Sequence, residues 1–490
     1  MKHKHLSEYV AHLGSLVLGK TDGRDFAVGN VTNDSRKIGK DDIFVAVKGA
    51  SSDGHEFVGR ALAAGAAVIV HEKEIDTSAP RAIFIRVKKS YPAYAAICET
   101  FFDYPARNLK LAGITGTNGK TTNAYLLHSI LSDSSLKTGL ISTVCRRTGK
   151  KTIMSERTTP EAYELQETFR EMADSGCTHA AMEVSSHALD QNRTGSAKYA
   201  GVLFTNLTGD HLDYHKDMES YFSAKKILFD NHTDESSAAA INTDDHYGKM
   251  LAEGAKNMRL FSFGKTPEAK CRMKNLVLGE HETVVEVSLG GKKYILTTPL
   301  LGEYNGYNVT GAFALACGLG LEPVKIIESI AKGVNVPGRL EKVPNTKGIN
   351  IIVDYAHTDD ALGRVLSALR PVTKGKLICV FGCGGDRDRS KRPRMGALSA
   401  KLADFSIVTS DNPRTEKPEE IIKEIIAGIT PSAKFKNIPD RRSAICEAIK
   451  YAHPGDTVLL AGKGHETYQE INGVKHPFDD REEAEKACRL

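Results

Sequence analysis

Lys110-Leu-Ala-Gly-Ile-Thr-Gly-Thr-Asn-Gly-Lys-Thr-Thr122 sets the reading of the whole chain. Its first five residues read as a buried strand. Asn123-Ala-Tyr-Leu-Leu-His-Ser-Ile-Leu131, directly after it, reads as a helix with one apolar face. A glycine-bearing turn between strand and helix gathers backbone N–H groups and a helix N-terminus around an anion. Lys120 adds a point charge for the outer phosphates, and Thr121 offers a hydroxyl to an accompanying magnesium ion. The stretch departs from the common phosphate loop, because Ile114 stands where that pattern has its first glycine. Gly-Lys-Thr also arises by chance, but the full string on a strand–turn–helix points to a nucleoside triphosphate.

Outward from this loop the chain alternates strands and helices in the βαβ manner. Lys110–Ile114, Ala180–Glu183, Ala200–Phe204 and Ala238–Ile241 are the expected strands of a central parallel sheet. A ligand is expected at their carboxyl ends, where the loop also falls. Before it, residues 1–107 carry short strand candidates at Ile43–Val47, Ala67–Val70 and Ala82–Val87, with a helix over Glu56–Ala64. Asp103-Tyr-Pro-Ala-Arg-Asn108 marks the boundary. A third block opens near Val336-Pro-Gly-Arg-Leu340, with strands at Ile349–Val353, Leu377–Phe381, Phe405–Val408 and Thr457–Ala461. The expected architecture is therefore α/β in three domains, 1–107, 108–337 and 338–490. The middle one is a parallel-sheet ATPase domain, and the last is a smaller doubly wound, Rossmann-like domain. A length of 490 residues agrees with that division, at a prior of ~150 residues per domain.

Bulk properties exclude several classes. A net charge of +5 is small for this length and argues against a general nucleic-acid surface, though basic pockets for anions remain open. No run approaches the ~18 apolar residues of a membrane span, and the start lacks the apolar core of a secretory signal. Nine scattered cysteines, none in a CxxC pair, fit free thiols in a reducing compartment. A cytoplasmic protein without nucleic-acid or membrane partners is expected.

Further groups sit at strand ends. Glu183 closes one strand and is a candidate magnesium ligand, although a surface glutamate is the plainer alternative. Asp210 and His211 follow the neighbouring strand. Lys225 lies in an amphipathic helical stretch, Tyr221-Phe-Ser-Ala-Lys-Lys-Ile-Leu-Phe229, where its residue type alone implies a solvated side chain. In the third block Gly382-Cys-Gly-Gly-Asp-Arg-Asp388, Asp411-Asn-Pro-Arg414 and Gly462-Lys-Gly-His-Glu466 all follow strands. Each is compatible with ordinary turn chemistry. Converging at one edge, they suit a zwitterion.

Together these motifs resemble the ATP-dependent Mur ligase family over essentially the whole chain, and within it the branch that adds meso-diaminopimelate to UDP-N-acetylmuramoyl-L-alanyl-D-glutamate in peptidoglycan precursor synthesis. The resemblance implies a UDP-sugar site in the first domain, ATP in the second and the incoming amino acid in the third. It implies ATP contacts from Gly116, Thr117, Asn118, Gly119, Lys120, Thr121 and Thr122. Asn305 and Asn308 would lie on the adenine side, and Arg339 and Asp354 would reach in from the third domain. Magnesium would be held by Thr121, Glu183, His211 and Lys225, the last as a carbamate (N6-carboxylysine). Lys120, Glu183, His211 and Lys225 would thus be the catalytic set. The UDP-muramoyl dipeptide is expected at Asn33, Ser35, Thr158, Thr159, Ser185, Gln191 and Arg193. Diaminopimelate is expected at Arg387, Asp411, Asn412, Pro413, Arg414, Gly462 and Glu466, with the Arg414 fork answering its distal carboxylate. A monomer is expected.

The reaction so implied is amide formation at the D-glutamate γ-carboxylate through an acyl phosphate. Alternatives are a lysine-adding or relaxed-specificity ligase, a folylpolyglutamate-type synthase, and an ATP-binding regulatory protein without turnover. The second lacks a counterpart of the first domain, and the third requires loss of catalytic groups that are all present. Three positions depart from the family pattern: Asp41, where glycine is common, Arg157 in place of asparagine, and Asp359 in place of proline. An aspartate tolerates a left-handed backbone better than most residues.

Overall fold

The computed structural model describes residues 4–19, 23–49, 52–279 and 281–489. The strand that begins the quoted stretch, Lys110–Thr115, lies inside an eight-stranded sheet between Tyr199–Phe204 and His179–Glu183, parallel to both. Ala238–Ile241 and Arg259–Leu260 extend the sheet on one side, and Thr138–Ile141 extends it on the other, all parallel. Two short strands, Cys145–Arg147 and Thr152–Met154, close that edge antiparallel. Apolar runs such as 238–241, Ala-Ala-Ala-Ile, are buried throughout, as strands covered on both faces require. Helices Lys120–Asp133 and Glu303–Gly318 supply one covering layer, and Ala162–Asp174 and Met218–Asn231 the other.

A second sheet in this part of the chain was not anticipated from the sequence. It comprises Phe263–Gly264, Cys271–Leu278, Thr283–Leu289 and Lys292–Thr298, the last three pairing antiparallel. Val285, Val287 and Leu296 point inward and pack with Phe313 of the helix Glu303–Gly318.

The N-terminal sheet holds four parallel strands in chain order, Val31–Thr32, Ile43–Val45, Val68–His71 and Ile83–Arg86. The helix expected over 56–64 is split, with a 3-10 turn Gly54–Phe57 leading into Val58–Ala63. The C-terminal sheet runs Glu341–Val343, Asn350–Asp354, Thr457–Ala461, Leu377–Phe381, Phe405–Val408, Phe435–Asn437. Only the first of these is antiparallel to its neighbour. Apolar clusters cover both its faces, as a doubly wound domain requires. A hairpin of Tyr468–Ile471 and Val474–Pro477 follows the last parallel strand. Among the described residues no helix is long and apolar enough to cross a membrane.

Candidate active site

Parallel order brings Thr115, Phe204 and Glu183 to one edge of the middle sheet, and the phosphate loop turns there. The loop is fixed by its neighbour rather than by itself. Thr117 and Asn118 donate their amides to the Asn206 carbonyl (2.8 Å) and the Asn206 side-chain oxygen (3.0 Å). Thr205 Oγ1 donates to the Asn118 carbonyl at 2.7 Å. Gly116 has φ 140° and faces Thr205 Oγ1, which a Cβ would strike, so the close approach requires glycine.

Two lysines converge on this loop. Lys120 Nζ donates to the carbonyls of Gly116 (2.9 Å) and Thr117 (2.7 Å). Lys225 Nζ donates to the same Gly116 carbonyl at 2.8 Å and stands 4.4 Å from the Tyr221 ring centre. Neither forms an ion pair with a carboxylate among the described residues. The residue type of Lys225 implied a solvated side chain, yet it is 1% exposed. Burial, reinforced by the Lys120 charge, drives its amine well below the ordinary lysine value, and burial also lowers Lys120.

Glu183 is wholly buried and held from one side, accepting from the Thr143 amide (2.7 Å) and hydroxyl (3.1 Å). Thr158 Oγ1 lies 3.0 Å from Thr143 Oγ1 and can donate to it. His211 begins a short helical turn with φ 54°, and its ring packs 4.9 Å from that of His187. The amides of Asn123, Asn308 and Asn305 form a buried chain ending on the Leu301 carbonyl, with links of 2.9, 2.9 and 2.8 Å. From the C-terminal domain, Arg339 reaches Thr121 Oγ1 at 3.2 Å and stacks 4.6 Å from the centre of Tyr355. Asp354 accepts from the amides of Leu340 (2.7 Å) and Ala356 (2.8 Å), while burial raises its carboxyl. Lys120, Thr121, Glu183, His211, Asn305, Asn308, Arg339 and Asp354 line one cavity of about 1040 Å³ spanning both domains. The sequence reading missed Asp360, which bridges the domains by accepting from Asn118 Nδ2 (2.8 Å) and Thr208 Oγ1 (3.2 Å). Its position four residues before Arg364, its helical partner, was the available signal.

Beside Glu183 lies most of the expected dipeptide set. Thr159 Oγ1 donates to the Glu183 carbonyl and accepts from the Ser185 amide. Arg193 clasps Gln191 Oε1 at 2.8 and 2.6 Å and the Thr159 carbonyl at 3.1 Å. Asn33 and Ser35 stand on a loop of the N-terminal sheet and share no hydrogen bond with this cluster among the described residues. Arg157 is half exposed and pairs with Glu161 one turn on, Asp359 accepts from Arg394 at 2.9 Å, and Asp41 has φ 63°.

At the C-terminal sheet the three charged loops do meet. The Gly385 amide donates to the Asn412 carbonyl at 2.9 Å, with the Pro413 carbonyl packed against Gly385. Gly462 has φ 114° and faces the Asp411 carboxylate across a gap too small for a side chain. Lys463, quoted only as part of a loop, is fully buried at their centre. Its Nζ is 3.1 Å from Asn412 Oδ1, 3.2 Å from Glu466 Oε2 and 3.7 Å from Asp411 Oδ1. Asn412 Nδ2 donates to the same Glu466 oxygen at 2.8 Å. Burial pushes Asp411 up, but the charges of Lys463 and Arg441 outweigh it and leave the carboxyl below its usual range. Burial raises Glu466. Arg414 is not a free fork: it donates to the Gly385 carbonyl at 2.7 Å and lies 3.4 Å from Glu470. Arg387 remains exposed and donates to its neighbour's carbonyl, Asp386 O, at 3.3 Å.

Comparison with known proteins covers the N-terminal, middle and C-terminal parts of the chain. Residues 20–116, 114–316 and 338–464 match the Mur ligase family catalytic domain, the Mur ligase middle domain and the Mur ligase glutamate ligase domain. The chain is 43% identical to the UDP-N-acetylmuramoyl-L-alanyl-D-glutamate–2,6-diaminopimelate ligase of Geobacter sulfurreducens, with 93% of each chain covered. It is 43% identical to the ligase of the same name from Aquifex aeolicus, with 92% of each covered. A solved structure of an enzyme of that name superposes with a TM-score of 0.66 at 31% identity, over 94% of this chain and 95% of the other. The chain belongs to the Mur ligase family.

Proposed function

We propose that this Mur ligase joins the amine of meso-diaminopimelate to the D-glutamate γ-carboxylate of UDP-N-acetylmuramoyl-L-alanyl-D-glutamate, with ATP converted to ADP and phosphate. The observation that carries the reading is the meeting, in one chain, of a phosphate loop bearing Lys120 with a largely charge-compensated amino-acid loop cluster. Near-complete coverage of relatives named for this reaction supports it.

In this reading the loop amides and Lys120 take the triphosphate, and the Asn305–Asn308 chain borders the adenine. Arg339 and Asp354 close over the nucleotide from the C-terminal domain, so nucleotide capture and domain closure are linked. The γ-phosphoryl passes to the γ-carboxylate, giving an acyl phosphate. The diaminopimelate amine attacks the acyl carbon, phosphate leaves, and the amine proton passes to solvent or a nearby carboxylate. What the protein supplies is alignment and neutralisation.

Magnesium fits the donor set. Thr121, the buried Glu183 carboxylate and nucleotide phosphates are hard oxygens, and this ion ordinarily takes one or two carboxylates alongside phosphate and water. When bound it offsets charge on the transferring phosphoryl group. His211 stands at the same edge as a further ligand. Burial favours the neutral amine of Lys225, the form that adds to CO2: a bond forms from Nζ to carbon as one C=O π pair moves onto oxygen, one proton leaves to solvent, and a neutral amine becomes an anion beside the loop. The N-terminal sheet with Asn33 and Ser35 would hold the UDP-sugar, in a three-domain division at 107 and 337.

ADP release with the UDP-muramoyl dipeptide, run in parallel with meso-diaminopimelate and with L-lysine, tests the proposal. Turnover with diaminopimelate and much less with lysine is expected. No ATP consumption with either would refute it, and preference for lysine would reassign the acceptor.

A further inference from the structure

The acceptor loops hold a residue whose role goes beyond contact with the substrate, on the reading that this site takes an amino acid with a zwitterionic far end. Lys463 is 0% exposed, and three groups from two loops converge on its ammonium: Asn412 Oδ1, Glu466 Oε2 and Asp411 Oδ1. A fully buried ammonium is retained only where such partners compensate its desolvation. Glu466 Oε2 takes both Lys463 and Asn412 Nδ2, which fixes the carboxylate plane and leaves Oε1 without a protein donor among the described residues. Asn412 Oδ1 is likewise shared between Lys463 and the Glu470 amide, at 3.1 and 2.9 Å. That places the hairpin strand carrying Glu470, the partner of Arg414, in register with the same network.

The charge count gives this geometry its chemical meaning. Asp411 and Glu466 contribute two negative charges and Lys463 one positive. Arg414 is balanced by Glu470, and Arg441 by Asp480 at 2.6 Å. The cluster therefore carries one net negative charge with Lys463 in place and two without it. One negative charge beside a guanidinium matches an ammonium next to a carboxylate. Two would favour an ammonium alone and repel the carboxylate.

We infer that Lys463 is a specificity-determining positioning residue: its ammonium orients Glu466 and Asn412 and sets the charge of the acceptor pocket so that a far-end zwitterion is preferred over a bare amine. It acts through Glu466 and Asn412, without touching the reacting atoms.

The test is steady-state kinetics of the full-length enzyme and Lys463→Met, with ATP, the UDP-muramoyl dipeptide and either meso-diaminopimelate or L-lysine. The expected result is a KM for diaminopimelate raised at least about tenfold, with KM for ATP and for the dipeptide within about twofold of wild type. The diaminopimelate-to-lysine ratio of kcat/KM should fall by a similar factor. An unchanged ratio, or equal loss across all three substrates, overturns the assignment. If Lys463→Met does not fold, Lys463→Gln is read on the same ratio with the same two outcomes. Failure of the wild-type enzyme to use diaminopimelate would instead strike the proposed function, which separates the two.

Discussion

The phosphate-loop edge of the middle sheet and the loop cluster of the C-terminal sheet solve opposite electrostatic problems. At the first, Lys120 and Lys225 both point at the Gly116 carbonyl, and among the described residues no carboxylate is paired to either. At the second, nearly every buried charge has its counterion: Lys463 with Glu466, Arg441 with Asp480, Arg392 with Glu416 and Glu424. Lys120 at the loop is poised for a polyanion, and the depressed amine of Lys225 beside it is poised to become a carbamate. A cluster balanced to within one negative charge can accept a zwitterion without displacing its own partners. The difference teaches what each edge is for better than either list of residues does.

If that contrast holds, the two edges should respond differently to charge removal. The largest effect is expected at the uncompensated edge. Lys225→Ala should lower kcat by roughly 10²- to 10³-fold, measured as ADP release, with partial recovery when formate or acetate is added to replace the missing anion. A fully active variant would erase the proposed role of the carbamate. At the balanced edge Arg414→Ala should raise the KM for diaminopimelate by about tenfold to a hundredfold, while ATP affinity by calorimetry stays near wild type. Equal losses in both would mean that the loop supports the domain rather than the acceptor.

The smallest effect concerns stability, and it sharpens the meaning of balance. Hydrogen bonding to Arg392 holds the Glu416 carboxyl at about 2, against an ordinary 4.5. A depressed carboxyl contributes stability that is complete above 4.5 and is lost as pH falls toward 2. Glu416→Gln should therefore be less stable than wild type by roughly 2 kcal/mol at neutral pH. In urea titrations the gap should narrow steadily below pH 4.5. A gap independent of pH would show that the pair contributes packing rather than charge.

Much of this was legible in the residues. The strands Leu377–Phe381, Phe405–Val408 and Thr457–Ala461 have the bounds expected from their apolar runs, because a strand buried on both faces needs an unbroken run. The meander of 263–298 was overlooked although Thr283–Leu289 alternates buried and half-exposed positions, the pattern of a one-faced strand. Its polar positions made it look like connecting chain. Cys379 and Cys383, two of the nine cysteines expected as free thiols, are free and buried. Arg414, expected to answer the distal carboxylate of diaminopimelate, rests on Gly385 and Glu470, partners that come from other loops and cannot be counted along the chain.

What the sequence determined by itself was the local chemistry: a strand, a glycine turn, a lysine and a helix in that order create an anion site wherever they fold, because the donors are backbone groups a few residues apart. What only the tertiary structure decided was which side chains lose their water. Lys225 and Lys463 sit in stretches where lysine is normally solvated, and both are buried by elements distant in sequence. The cost of burying a charge depends on everything packed around it, so the two residues with the greatest electrostatic consequence were those the linear chain could not single out.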